Sequence, residues 1–353
     1  MRLRKIAAAA WTTLLLAVLA APAYSQGVQQ GGALPTPLPL FPATNWWNVA
    51  ISAAPVDAAS TATITWINTA RSLHPDFGGD VDPSNPSNPA TYGFPYSVVP
   101  GTTPLVPITF VEYGNQSDNG APGRPIGYPL PTAAKTGTRW IEGGDPATVA
   151  IGGEDRHMLV IDRDNRILFE LYHAHYNTTL SRWEAGSGAV WPLTTNRRRT
   201  DGWTSADAAG LAIFPGLVRY DEVLSATAAT GAVPIRHAFR MTVRSTNGYV
   251  WPASHVAGST ASAPPMGARF RLKASKNITA VTPQARAMFQ AMKTYGLIVA
   301  DNGSDFYIQG TYDTHWDNGV LNPAFSALHA SDFEMVQRGY GAPRTDVDEW
   351  RQY

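Results

Sequence analysis

Two apolar runs of strand length, residues 158–162 and 167–172, flank the polar segment Arg163-Asp164-Asn165-Arg166. Asp and Asn tolerate the turn conformations that close a tight loop, so the pattern predicts a β-hairpin. With Asp164 and Asn165 at the turn, Leu159 pairs with Glu170 and His157 with Tyr172. The period of two then puts Met158, Val160, Ile167, Phe169 and Leu171 on a core face. It puts Asp155, His157, Leu159, Glu170 and Tyr172 on the other. A carboxylate, an imidazole and a phenol grouped on one strand pair are the parts of a general acid/base site.

The same reading predicts the other elements. Residues 60–71 form a short helix, and residues 106–113 a strand. The Gly-rich stretch from Trp183 through Trp191 to Leu193 reads as a bulge leading into a strand. A Thr/Ser cap before Asp207 starts one helical turn, and residues 217–224 a second. Residues 237–243, 249–255 and 269–273 read as strands, the last with Arg269, Arg271 and Lys273 on a charged solvent face. Ala285, Met288, Phe289 and Met292 recur at helical spacing between Thr282-Pro283 and Gly296, which predicts a capped amphipathic helix. Asn302-Gly303 between two apolar runs predicts a second hairpin over residues 297–308.

Strands outnumber helices, and no βαβ alternation or internal repeat is visible. The expectation is mainly β: a single-domain antiparallel β-sandwich or distorted barrel with a few short helices and long loops. Residues 41–353 would form that catalytic-type domain, and the Gly/Gln/Pro-rich residues 26–40 a linker. Within the Pro/Gly-rich loop after Gly79, residues Asp80 to Asn85 begin like a calcium loop but lack its central Gly and closing Glu.

Charge enters through the N-terminus. Arg2, Arg4 and Lys5 precede an apolar run and the small-residue site Ala23-Tyr24-Ser25, the pattern of a cleaved secretory signal over residues 1–25. The expected location is secreted or periplasmic. Removing the signal leaves 24 Lys and Arg against 27 Asp and Glu, which argues against nucleic acid as a partner. The apolar run is short for a membrane span, so no membrane association is expected after cleavage. The chain has no cysteine, which removes disulfides and thiolate chemistry.

GxSxG, Walker, HExxH and Rossmann signatures are absent. Glycoside hydrolysis needs two carboxylates, one of them protonated. Glu170 and Asp155 on the hairpin, and Asp207 and Asp221 after it, are the leading acids, with Glu222 and Asp301 behind them. His157 and Tyr172 would instead serve a lyase as its proton-transfer pair, with an arginine neutralising a uronic-acid substrate. Arg219, Arg269 and Arg271 are candidates to bind such a substrate, and Arg240 is a further cation. Trp183, Trp191 and Trp203 are candidates to stack on sugar rings. His173 and His175 alternate along the strand as metal ligands do, with His255 or His315 needed to complete a set; no cofactor is otherwise expected.

The strings HPDFGG, DRHMLVIDRDNRILFELY, WTSADAAGLAIFPGLVRYDEV, PPMGARFRLKA and YGLIVADNGSDFYI resemble those of a widespread group of secreted bacterial proteins of unassigned activity. The resemblance spans roughly residues 41–333. It implies one continuous domain and an exported location, and it supplies no catalytic residues. The expectation is a secreted carbohydrate-active enzyme that cleaves a polysaccharide, by hydrolysis or by β-elimination. The rival is a non-catalytic protein that binds carbohydrate or the cell envelope.

Overall fold

A computed structural model describes residues 27–79, 91–149, 154–227 and 235–341. The signal segment 1–25, the acidic stretch Asp80–Asn85 and the last twelve residues lie outside the described residues. Three sheets carry the described residues. The first has the order β1 (Gln29–Gln30), β3 (Tyr96–Val99), β5 (Met158–Asp162), β6 (Ile167–Tyr172) and β9 (Ser187–Pro192). The second runs β14 (Phe333–Met335), β11 (Arg269–Leu272), β12 (Leu297–Asn302), β10 (Phe239–Val243), β13 (Tyr307–Gln309) and β2 (His74–Asp76). The third is small: β4 (Ile108–Phe110), β8 (Arg182–Ala185) and β7 (His175–Asn177). Among the described residues four α-helices accompany them, α1 (Ser60–Ile67), α2 (Tyr220–Thr227), α3 (Pro283–Thr294) and α4 (Asn318–Ser326).

The fold is mainly β, as the pattern implies, and its pairing is mixed. β5, β6 and β9 run antiparallel, whereas β3 with β5, β10 with β12, β13 with β2 and β4 with β8 are parallel pairs. Parallel neighbours need long connections, and residues 244–296 with β11 and α3 supply the one between β10 and β12.

The hairpin forms in the expected register, with Leu159 opposite Glu170 and Met158 opposite Leu171. Both of its faces are buried. Met158, Val160, Phe169 and Leu171 pack with Tyr128 and Trp183, and Leu159, Ile161 and Leu168 pack with Trp191, Ile213 and Phe214. Each such apolar side chain contributes roughly 1.5–3 kcal/mol, so the second face is as much core as the first. The expected split into one apolar and one polar face therefore fails.

α3 follows the sequence closely. Thr282 caps it by accepting from the Ala285 amide (3.3 Å), and Ala285, Met288, Phe289 and Met292 are all buried. It ends before Gly296, whose φ of 77° and closeness to the Phe270 carbonyl leave no room for a side chain.

Several expectations change. β12 and β13 do not pair with each other, because β10 lies between them and pairs with both. β11 lies between β14 and β12, so Arg269 is buried instead of facing solvent. The stretch expected as a linker packs down: β1 pairs with β3, Leu40 is buried, and Leu34 and Leu38 pack on the same core. Its leucines explain why it does not remain free. Residues 249–255 contribute only one bridge, Tyr249 to Met266. No helical turn forms at Asp207, because the Ser205 hydroxyl accepts its amide (2.9 Å) and holds an irregular loop.

Candidate functional site

The irregular segment 204–217 lies between the first and second sheets, and the chemistry collects beside it. Its backbone groups are satisfied by side chains and by β12. The Ala209 amide donates to the Ala300 carbonyl (2.9 Å), and the Ala206 carbonyl accepts from His157 Nε2 (2.9 Å). Next to this loop opens a cavity of about 200 Å³ whose wall includes Asp155, His157, Tyr172, Asp207, His255 and Asp301, with Tyr113 at its rim.

His157 is buried with both ring nitrogens committed. Nδ1 sits 2.5 Å from Glu142 Oε2, and Nε2 faces the Ala206 carbonyl. Two acceptors require two N–H donors, so the ring is an imidazolium. Burial opposes that charge, but Glu142, with Asp155 behind it, outweighs the penalty and holds the ring's pKa up at about 9.

A second charged group lies across the cavity. Arg240 binds Asp207 through two bonds of 2.8 Å and Asp301 through one of 2.9 Å. Asp301 Oδ1 also accepts the Asn302 amide (2.7 Å). Burial raises the Asp301 carboxyl to about 6; Asp207 and Asp155 add to the rise, while Arg240 and His157 pull against it. Asp301 keeps one-fifth of its side chain exposed, so solvent protons reach it. Asp155 is exposed outright.

Two backbone outliers frame these groups. Arg156 (φ 46°) and His173 (φ 51°) sit in the left-handed region that non-glycine residues seldom occupy. They are tied together, His173 N to Asp155 O (2.8 Å) and Ala174 N to Arg156 O (3.2 Å). The turn at Arg156 breaks strand alternation, which is why Asp155 reaches solvent while His157 is buried. Such strain gathers at functional sites.

The serine and threonine hydroxyls of the wall are all engaged. Ser205 Oγ donates within its own loop to the Leu211 carbonyl (2.6 Å), Ser187 Oγ to the Ser205 carbonyl (2.6 Å), and Thr204 Oγ1 to the Asp207 carbonyl (3.0 Å). None is poised as a nucleophile. His255 donates Nδ1 to the Ala208 carbonyl (2.8 Å), and its other nitrogen has no such bond.

Of the acids and bases expected from sequence, Asp155, His157, Tyr172, Asp207 and Asp301 meet at this cavity. Glu170 does not line it. It is sealed behind the strand, where its carboxylate accepts from Trp191 Nε1 (2.9 Å), Ile213 N (3.0 Å) and Phe214 N (2.9 Å). Its role there is to hold the 211–216 turn against β6. Asp221 lies on α2 against Arg219, away from the cavity wall.

The expected substrate-binding residues are also elsewhere. Trp183 and Trp191 are core, and Trp203 is half-buried beneath the Arg199 guanidinium. Arg219 pairs with Glu222, Arg271 with Glu334, and Arg269 donates to the Val49 and Tyr295 carbonyls. His173 turns to Glu112 (2.6 Å) and His175 to Glu184 (3.2 Å), so the two do not converge on one ion. Among the described residues, no group of three or more His, Asp or Glu is placed to hold a metal.

Glu142 carried no sequence signal, since it sits in a loop without a motif, and Tyr113, expected to end a strand, lies in the bend beyond β4. Compared with protein-family models, curated proteins and solved structures, the chain matches none.

Proposed function

We propose that this chain is an exported enzyme that hydrolyses glycosidic bonds of a polysaccharide, with Asp301 as general acid and Asp155 as its carboxylate partner. The observation that carries the reading is the cavity that sets a raised, partly exposed carboxyl beside a solvent-facing carboxylate. That is the division of labour glycoside cleavage requires. Asp301 gives its proton to the leaving glycosidic oxygen as the C–O bond breaks. Asp155 either attacks the anomeric carbon or takes a proton from the water that does.

Elimination is less well supported. A lyase base needs a free lone pair, and His157 donates from both nitrogens. Tyr172, its partner in that reading, is pushed up to about 12, chiefly by burial. A pure binding role leaves the raised carboxyl without use.

The test is a reducing-end assay of the mature chain against a polysaccharide panel, with ultraviolet detection of unsaturated products. Asp301→Asn and Asp155→Asn should each lower turnover by about 10²-fold or more, with folding checked by circular dichroism. Release of no sugar from any polymer, or full activity in both variants, overturns the assignment.

A further inference from the structure

The wall of the cavity is unbalanced in charge, and the imbalance faces the space a substrate would fill. Four carboxyl groups meet there or just behind it: Asp155, Asp207, Glu142 and Asp301, the last holding the proton it gives as general acid. Two cations answer them. Arg240 is spent on Asp207 and Asp301, and the His157 imidazolium is spent on Glu142 and the Ala206 carbonyl. The described residues lining the cavity include no Lys or Arg. Asp155, exposed and hydrogen-bonded to neither cation, is the carboxyl group a ligand would meet first. Tyr113, 40 % exposed, offers an aromatic ring at the rim. A ring face beside a carboxylate suits a cation, which both attract.

We infer that the cavity takes a saccharide bearing a protonated amine, a polymer of 2-amino-2-deoxy sugar with free amino groups, in preference to neutral or uronic-acid polymers. This rests on the reading of the cavity as a saccharide-cleaving site and names its substrate class. A uronate carboxylate placed near Asp155 would meet like charge, whereas an ammonium group there forms a pair.

Calorimetric titration of the mature chain in slightly acidic, low-salt buffer tests this. The probes are three β-1,4-linked tetrasaccharides: glucosamine, N-acetylglucosamine and glucose. The glucosamine oligomer should bind up to about fivefold more tightly than the other two, the worth of one exposed ion pair. Asp155→Asn, on an exposed residue whose loss should not affect folding, should reduce that preference, and so should added salt. Equal or tighter binding of the acetylated or plain oligomer overturns the inference, as does no binding of any of the three. A preference that survives in Asp155→Asn overturns it too. Tight glucosamine binding with no bond cleavage would remove the hydrolytic reading and leave the ligand class standing. Cleavage of a plain glucan without amine preference would do the reverse.

Discussion

Replacing Glu142 by Gln should destabilise the protein in a way that depends on pH. The His157 pKa is about 9 in the fold against an ordinary 6.5. At about 1.4 kcal/mol per unit, the proton on His157 stabilises the folded state by about 3 kcal/mol. A raised histidine contributes this stability in full below pH 6.5, and the contribution is lost as pH rises through 9. Glu142→Gln keeps the shape of the side chain and removes the charge that holds the proton. Breaking a buried pair typically costs about 3–5 kcal/mol, so that is the penalty expected near pH 6. It should shrink by about 3 kcal/mol by pH 10, where the wild-type ring is neutral as well.

Urea denaturation of both proteins at several pH values measures the difference directly. Other titrating groups, Glu170 among them, are common to both and largely cancel. Nitrogen-15 shifts of the His157 ring give a second readout, since both nitrogens should be protonated at pH 8. A penalty that stays constant from pH 6 to 10, or a ring with one bare nitrogen at pH 8, would refute the imidazolium assignment.

Three further outcomes are expected. Glu170→Gln should lower stability by about 1–3 kcal/mol, because the new amide sets a donor against N–H groups; unchanged urea midpoints would show that the turn at Phe214 is held otherwise. Burial also raises the Glu170 carboxyl to about 7, so wild type should lose ground to this variant as pH rises from 4.5 through 7. Gly188→Ala should destabilise the first sheet, since a Cβ there would sit 2.7 Å from the Tyr128 hydroxyl and 2.8 Å from Leu171 Cδ2; a wild-type melting temperature would count against that packing.

The parts of the fold that could be read from sequence are those fixed by local period. The hairpin register followed from Asp164-Asn165 and two apolar runs, and α3 from a cap, a proline and four apolar residues at helical spacing. What could not be read was what covers the hairpin. Leu159 and Glu170 look the same in sequence whether they face water or segment 204–217, which returns from some forty residues further along the chain. Asp301 was visible as an acid at the end of an apolar run. Its meeting with Asp207 through Arg240 depends on β10 inserting beside β12, a long-range pairing that local turn chemistry at Asn302-Gly303 contradicts.

That insertion also explains why the site holds so many ions. An irregular segment between two sheets carries backbone groups that neither ladder can satisfy, and leaving them bare would cost several kcal/mol. Here charged side chains from the sheets meet them: Glu170 takes the Ile213 and Phe214 amides, and His157 gives to the Ala206 carbonyl. Each buried ion then needs its own counter-group or donors, so Glu142 faces His157, Trp191 donates to Glu170, and Arg240 holds Asp207. The network therefore serves the fold first. Asp155 and the exposed edge of Asp301 are the carboxyl groups it leaves facing the cavity, and for that reason the proposed chemistry falls to them and not to Glu170, which the hairpin pattern alone would favour.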